Sequence, residues 1–178
     1  MVGIWVVSIS GVQCTGKTTL ARALAQRMGA TLVSRDPLMA VLLGGGLPAG
    51  GLKRPPVAPV PELGYGLQSA VLRQQLDVGR SVVVECIAEP SVRDGWRRIA
   101  EEHGAGFAAV ETTCSDPEMH RSRFEDRGTA PVGDWHLHWQ NVERTKRRYR
   151  PHPDTCFVAD SIHPLADNVA AIARVLRL

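Results

Sequence analysis

Gly11-Val12-Gln13-Cys14-Thr15-Gly16-Lys17-Thr18 fits the spacing G-x-x-x-x-G-K-[ST] without a gap. The apolar run Ile4–Ile9 precedes it, and a helical pattern over Lys17–Met28 follows, with Leu20, Leu24 and Met28 recurring every fourth residue. A strand, a glycine-bearing turn and a helix in that order form the context in which this motif cradles phosphate. Gly11 and Gly16 let the backbone curl, so that successive amides and the helix N-terminus face an anion. The expected contacts run from Gly11 through Val12, Gln13, Cys14, Thr15, Gly16, Lys17 and Thr18 to Thr19. The Lys17 ammonium is expected at the β- and γ-phosphates of a nucleoside triphosphate, and the Thr18 hydroxyl at Mg²⁺. Cys14 has two readings, a redox thiol at a helix N-terminus or a small side chain in a loop ruled by its backbone.

Four more apolar runs follow: Thr31–Ser34, Ser81–Glu85, Phe107–Thr112 and Cys156–Ala159. Near-continuous apolarity marks strands buried on both faces, as in a parallel sheet. Helical stripes separate them: Val92, Trp96, Ile99 and Ala100; Trp135, Trp139, Val142, Lys146 and Tyr149; and Leu165, Val169, Ile172 and Leu176. Ser115-Asp116-Pro117-Glu118 reads as a capping box with proline in the first turn. The fold class is therefore α/β, a three-layer domain with a parallel sheet of about five strands, and residues 1–178 form one domain. Residues 44–66 carry seven glycines and five prolines and predict no core element. The core of that insertion, 44–61, reads either as a surface excursion or as a loop over an acceptor site.

Composition narrows the classes further. Hydrophobic residues make up 44% and charged residues 22% of the 178 positions, which excludes disorder, collagen and a coiled-coil rod. No run reaches the roughly 18 apolar residues of a membrane span, so no membrane partner is expected. Cys14, Cys86, Cys114 and Cys156 form no C-x-x-C pair, which argues against a zinc knuckle or disulfide framework and fits a reduced, cytoplasmic setting. The first ten residues, MVGIWVVSIS, read as a strand and not as a signal peptide. A net charge of +3 permits anionic ligands without demanding nucleic acid.

Ser34-Arg35-Asp36-Pro37 closes the second run. Ligands bind in the crevice at strand C-termini of such sheets, where a carboxylate can take a proton from an attacking hydroxyl and Arg35 can hold an anionic acceptor. The competing reading has Asp36 cap a helix that starts at Pro37 and runs to Leu43. Phosphate loop plus S-R-D resembles the small P-loop kinases related to polynucleotide kinase, with chloramphenicol phosphotransferase, gluconate kinase and shikimate kinase as more distant relatives. The likeness extends over most of the chain and concentrates at 11–18, 34–36, 81–93 and 116–149.

The resemblance implies an ATP-dependent (or GTP-dependent) kinase with Mg²⁺. It makes Asp36 the general base, and places Glu85, where relatives usually carry aspartate, at the Mg²⁺ shell or the acceptor. It offers Arg93 as an acceptor contact, against a plain solvated helix arginine. It gives the helix after the fourth strand two lid arginines, Arg123 on the adenine and Arg127 on the phosphates, against an exposed charged face. Gly128, Pro131 and Gly133 then read as the hinge of a lid over about 128–150. His136 and His138 diverge on a helix and suggest no metal. The favoured acceptor is a small-molecule hydroxyl, such as a natural product or antibiotic. A polynucleotide 5′-hydroxyl stays open on the basic run Arg144, Lys146, Arg147, Arg148 and Arg150. A nucleotide-binding switch without kinase activity and a nucleotide kinase acting on phosphate are the remaining rivals. The sequence leaves the oligomeric state open.

Overall fold

A computed structural model describes residues 3–44, 60–127 and 138–178. Five strands, β1 (Trp5–Gly11), β2 (Thr31–Ser34), β3 (Val82–Glu85), β4 (Gly106–Thr113) and β5 (Thr155–Asp160), form one sheet in the order β2-β3-β1-β4-β5. Every pairing is parallel. The helices are α1 (Lys17–Met28), α2 (Arg35–Gly44), α3 (Val60–Asp77), α4 (Pro90–Glu102), α5 (Pro117–Asp126), α6 (Trp139–Arg148) and α7 (Leu165–Val175). This is the α/β sheet of a P-loop domain that the sequence predicts.

Alternation along the strands sends apolar side chains to two faces. Val7, Ile9, Val83 and Val110 pack with Leu20 and Leu24 of α1 and Val169 and Ile172 of α7. Val6, Val33, Val82 and Val84 pack with Leu72 and Leu76 of α3 and Trp96 and Ile99 of α4. Helices cover both faces, which is why the central strands read as unbroken apolar runs.

Three local expectations are revised. The stretch that seemed to hold no element gives up its end to α3, which begins at Val60 and contains Gly64 and Gly66. A Cβ on Gly64 would stand 2.7 Å from Arg35 Nε and 2.8 Å from Met39 Sδ, so this glycine serves the close approach of α2 and α3 and not a turn. Residues 45–59 lie outside the described residues. The first turn of α5 is capped by Asp116 alone, whose carboxylate accepts from the Glu118 and Met119 amides at 2.9 and 3.0 Å. The Ser115 amide donates to Asp160 instead. Helix α2 starts at Arg35, so Asp36 sits inside its first turn and does not precede a helix beginning at Pro37. Gly128, Pro131, Gly133, Trp135 and His136 of the expected lid lie outside the described residues, and α6 is its described part.

Candidate nucleotide site

The loop between β1 and α1 owes its shape to its neighbours. Gly11 pairs with Thr112 of β4 and holds φ +146°, and a Cβ there would collide with the Thr112 carbonyl and hydroxyl. The Thr112 hydroxyl donates to the Thr15 hydroxyl at 2.7 Å and lies 3.2 Å from the Ser10 carbonyl. Cys14 at φ 62° and Gly16 at φ 83° take left-handed conformations, which aim consecutive amides into one concavity. Lys17 is almost completely buried and folds back to donate to the Val12 carbonyl at 2.8 Å.

The ends of β2 and β3 deliver carboxylates to this lysine. Glu85 is 5% exposed and accepts from the Thr18 hydroxyl at 3.4 Å. Burial raises its pKa, Lys17 pulls it back down, and the charge of Asp36 pushes it up. Burial likewise lowers the pKa of Lys17, opposed by Glu85 and Asp36. Asp36 is exposed at the start of α2, within electrostatic reach of both. The Thr18 hydroxyl and the Glu85 carboxylate are hard oxygen donors side by side, which suits Mg²⁺. Among the described residues no cluster of three or more His, Cys, Asp or Glu could hold a metal by itself, so phosphate oxygens or water would complete the shell.

Next to the loop lies a pocket of about 620 Å³. Cys14, Thr15, Gly16, Lys17, Thr18 and Thr19 line it, and so do Arg123 and Arg127 of α5. Arg123 is held by Ser161, donating to its hydroxyl at 2.5 Å and its carbonyl at 2.8 Å. Arg127 is exposed at the C-cap of α5, and its charge acts on Lys17.

A family model described as an AAA domain matches residues 6–152. The chain belongs to that family. No curated protein matches the chain. Solved structures do resemble this AAA domain. A gluconokinase from Sinorhizobium meliloti shares 21% identity at TM-score 0.64, covering 99% of this chain and 92% of that one. The APS kinase of Mycobacterium tuberculosis, solved with AMPPNP and APS, shares 15% identity at TM-score 0.66 over 99% of each chain. Kti12 from Chaetomium thermophilum, solved with ADP-AlF3, shares 16% identity at TM-score 0.70, covering 96% of this chain and 98% of that one. At such identities the likeness concerns the fold.

Within the AAA domain, the remaining expected residues fall into three groups. Val12 and Gln13 belong to the loop but do not line the pocket. The Val12 carbonyl serves Lys17 and the Thr15 hydroxyl, and Gln13 turns outward to α5 and α6. Arg35 leans over the Tyr65 ring at 5.1 Å, on the β2 side, beside Asp36.

Arg93 is the clear correction. It is wholly buried, its guanidinium paired with the Glu111 carboxylate and donating to the Arg150 carbonyl at 3.0 Å. Glu111 also takes the Tyr149 hydroxyl and the His152 amide. Burial and that carboxylate raise the Tyr149 pKa, which keeps the phenol protonated. Arg93 thus braces α4, β4 and the segment just after α6, closed off from solvent and outside the pocket lining.

Ser161, His163, Leu165 and Asn168 line the pocket beyond Arg123 and were not singled out from sequence as site residues. Their signal is positional only: they follow the C-terminal end of β5, where such sheets gather ligand contacts. No helix among the described residues is long and apolar enough to cross a membrane.

Proposed function

We propose that this protein is an ATP-dependent phosphotransferase that moves the γ-phosphoryl group to an alcohol hydroxyl of a small molecule. The observation that carries the reading is the Thr18–Glu85 hydrogen bond and the electrostatic coupling of Lys17 to both Glu85 and Asp36, beside the pocket that Lys17 and Thr18 line. A loop that only bound nucleotide would not need a second, exposed carboxylate within electrostatic reach of its lysine. The gluconokinase and APS kinase neighbours, the latter with AMPPNP and APS bound, support a triphosphate on the loop and a small acceptor beside it.

In the proposed reaction the loop amides and Lys17 hold the phosphates. The acceptor oxygen attacks the γ-phosphorus, its proton passes to the Asp36 carboxylate, and the bond from that phosphorus to the β–γ bridging oxygen breaks. The electron pair leaves on ADP. Arg127 supplies positive charge for the equatorial oxygens of a loose transition state. Mg²⁺, held by Thr18 and Glu85 with the phosphates, would neutralise charge on the β- and γ-oxygens. Positioning and electrostatics supply most of the acceleration in such transfers.

One observation favours a polynucleotide 5′-hydroxyl as acceptor: Arg144, Arg147, Arg148 and Arg150, at or just beyond α6, are exposed, and a phosphate backbone attracts such a patch. The test is an ADP-release screen with ATP or GTP over sugars, nucleosides, antibiotics and oligonucleotides, with Lys17→Ala as the blank. A phosphorylated small molecule supports the proposal. Salt-sensitive phosphorylation of oligonucleotide ends alone replaces it with the second reading. Hydrolysis with no phosphorylated product under any condition refutes both and points to a nucleotide switch.

A further inference from the structure

Helix α5 presents His120, Arg123 and Arg127 at spacings of three and four, hence along one side. The two arginines line the pocket, but His120 does not. Its ring is 1% exposed, and its Nε2–H donates to the main-chain carbonyl of Gln13 at 2.7 Å. The ring is held in place by the edge of Trp139 on α6, 5.3 Å between centroids at 71°. Trp139 in turn meets Phe124 edge-on and carries Arg121 and Lys146 over its faces. Gln13 has a second tie to the same layer, its side-chain amide donating to the Thr145 hydroxyl at 3.3 Å.

A trans peptide points its C=O and the following N–H in opposite directions, so an outward Gln13 carbonyl turns the Cys14 N–H to the other side, that of the pocket Cys14 lines. We infer that His120 is a positioning residue of the phosphate loop: by gripping the Gln13 carbonyl from behind, it fixes the 13–14 peptide with its amide toward the nucleotide phosphates and sets the register of the helix that carries Arg123 and Arg127. The inference rests on the proposed triphosphate site and adds a part that touches neither nucleotide nor acceptor. Without the imidazole donor the half-buried Gln13 carbonyl is left facing an apolar ring. The peptide then gains by turning over, which withdraws one amide from the anion. Burial lowers the pKa of His120, which favours the neutral imidazole, and the carbonyl acceptor at Nε2 assigns the ring proton to that nitrogen.

The test measures Mg·ATP and adenosine binding by titration calorimetry, with thermal midpoints, for wild type, His120→Phe and His120→Gln. Phenylalanine keeps the ring against Trp139 and removes the donor, whereas glutamine restores an N–H at similar reach. The expected result is an ATP affinity about tenfold weaker for His120→Phe, the size of one hydrogen bond to a charged group. Adenosine binding should change less, and the glutamine variant should return to within about threefold of wild type. Should the phenylalanine variant not fold, His120→Leu takes its place. Equal ATP binding in all three proteins overturns the inference. So does a loss shared alike by ATP and adenosine, or by Phe and Gln, since that marks packing alone. Wild-type protein that binds no Mg·ATP would instead overturn the proposed function, an outcome distinct because the other failures leave wild-type binding intact.

Discussion

Replacing Arg93 by methionine decides whether that residue serves the acceptor or the fold. Its guanidinium is wholly enclosed and pairs with Glu111, which is 5% exposed. Removing one partner of a buried pair typically costs about 3–5 kcal/mol, because the other charge stays behind uncompensated. Glu111 here keeps the Tyr149 hydroxyl, the His152 amide at 2.9 Å and the Thr155 hydroxyl at 3.4 Å. The lower end therefore applies, about 3 kcal/mol. For a chain of this size each kcal/mol moves Tm by roughly 2–4 °C, which predicts a fall of about 6–12 °C. The Arg93→Met, Glu111→Gln double variant should lose less than the two single losses added together, since the charge pair disappears as a unit. Calorimetric or fluorescence melts of the four proteins give the cycle. An Arg93→Met protein that melts like wild type but needs far more acceptor for half-maximal rate would refute the buried-strut reasoning and restore Arg93 to the acceptor site.

Three further outcomes follow from the site. Asp36→Asn should lower kcat by ~10²–10⁴ while Mg·ATP affinity changes little, and wild-type turnover in that variant removes Asp36 as the base. Gly11→Ala faces both a φ of +146° and the Thr112 backbone, strain and overpacking that together cost roughly 2–6 kcal/mol, so an unchanged melt would contradict the tight pairing of the loop with β4. Burial raises the Glu85 pKa above its ordinary 4.5, so Mg·ATP affinity should already weaken with falling pH above the usual carboxylate range, and Glu85→Gln should flatten that limb. Stability runs the other way. A carboxyl whose folded pKa is raised favours the fold most below its unfolded pKa, and that contribution is lost as pH rises through the folded value. Superimposable pH profiles for the two proteins would remove Glu85 from the cation site.

The sequence made the sheet and the loop readable because both obey local rules. A strand covered by helices on both faces must be apolar throughout, and Val82–Val84 satisfy that on their own. The loop's glycines, lysine and threonine sit within eight residues, and α1 begins and ends where its periodicity says it should. What escaped was set by distant partners. Arg93 looked available because its partner Glu111 lies on β4, outside the helix that carries Arg93. Gly64 looked only like part of a stretch without a core element, because the residues that need its missing side chain, Arg35 and Met39, belong to a different helix. His120 carried no signal at all, since its meaning is a main-chain carbonyl 107 positions earlier. Ser161 and His163 were visible only as the residues after a strand.

The strand order explains why such different groups meet at one loop. With β1 in the middle, the β2 and β3 ends bring Asp36 and Glu85 from one flank. The β4 and β5 ends bring α5, with its arginines, and the Ser161 turn from the other. In-line transfer needs the attacking and leaving oxygens on opposite sides of the phosphorus. A nucleotide lying over β4 and β5 with its phosphates on the β1 loop would direct its γ-phosphorus toward the β2–β3 side, where the exposed carboxylate waits. This division gives the acceptor reading its geometric sense. A hydrolytic switch needs only water at that flank, whereas under the proposed function Arg35, over the Tyr65 ring and beside Asp36, would give a larger acceptor a charged edge.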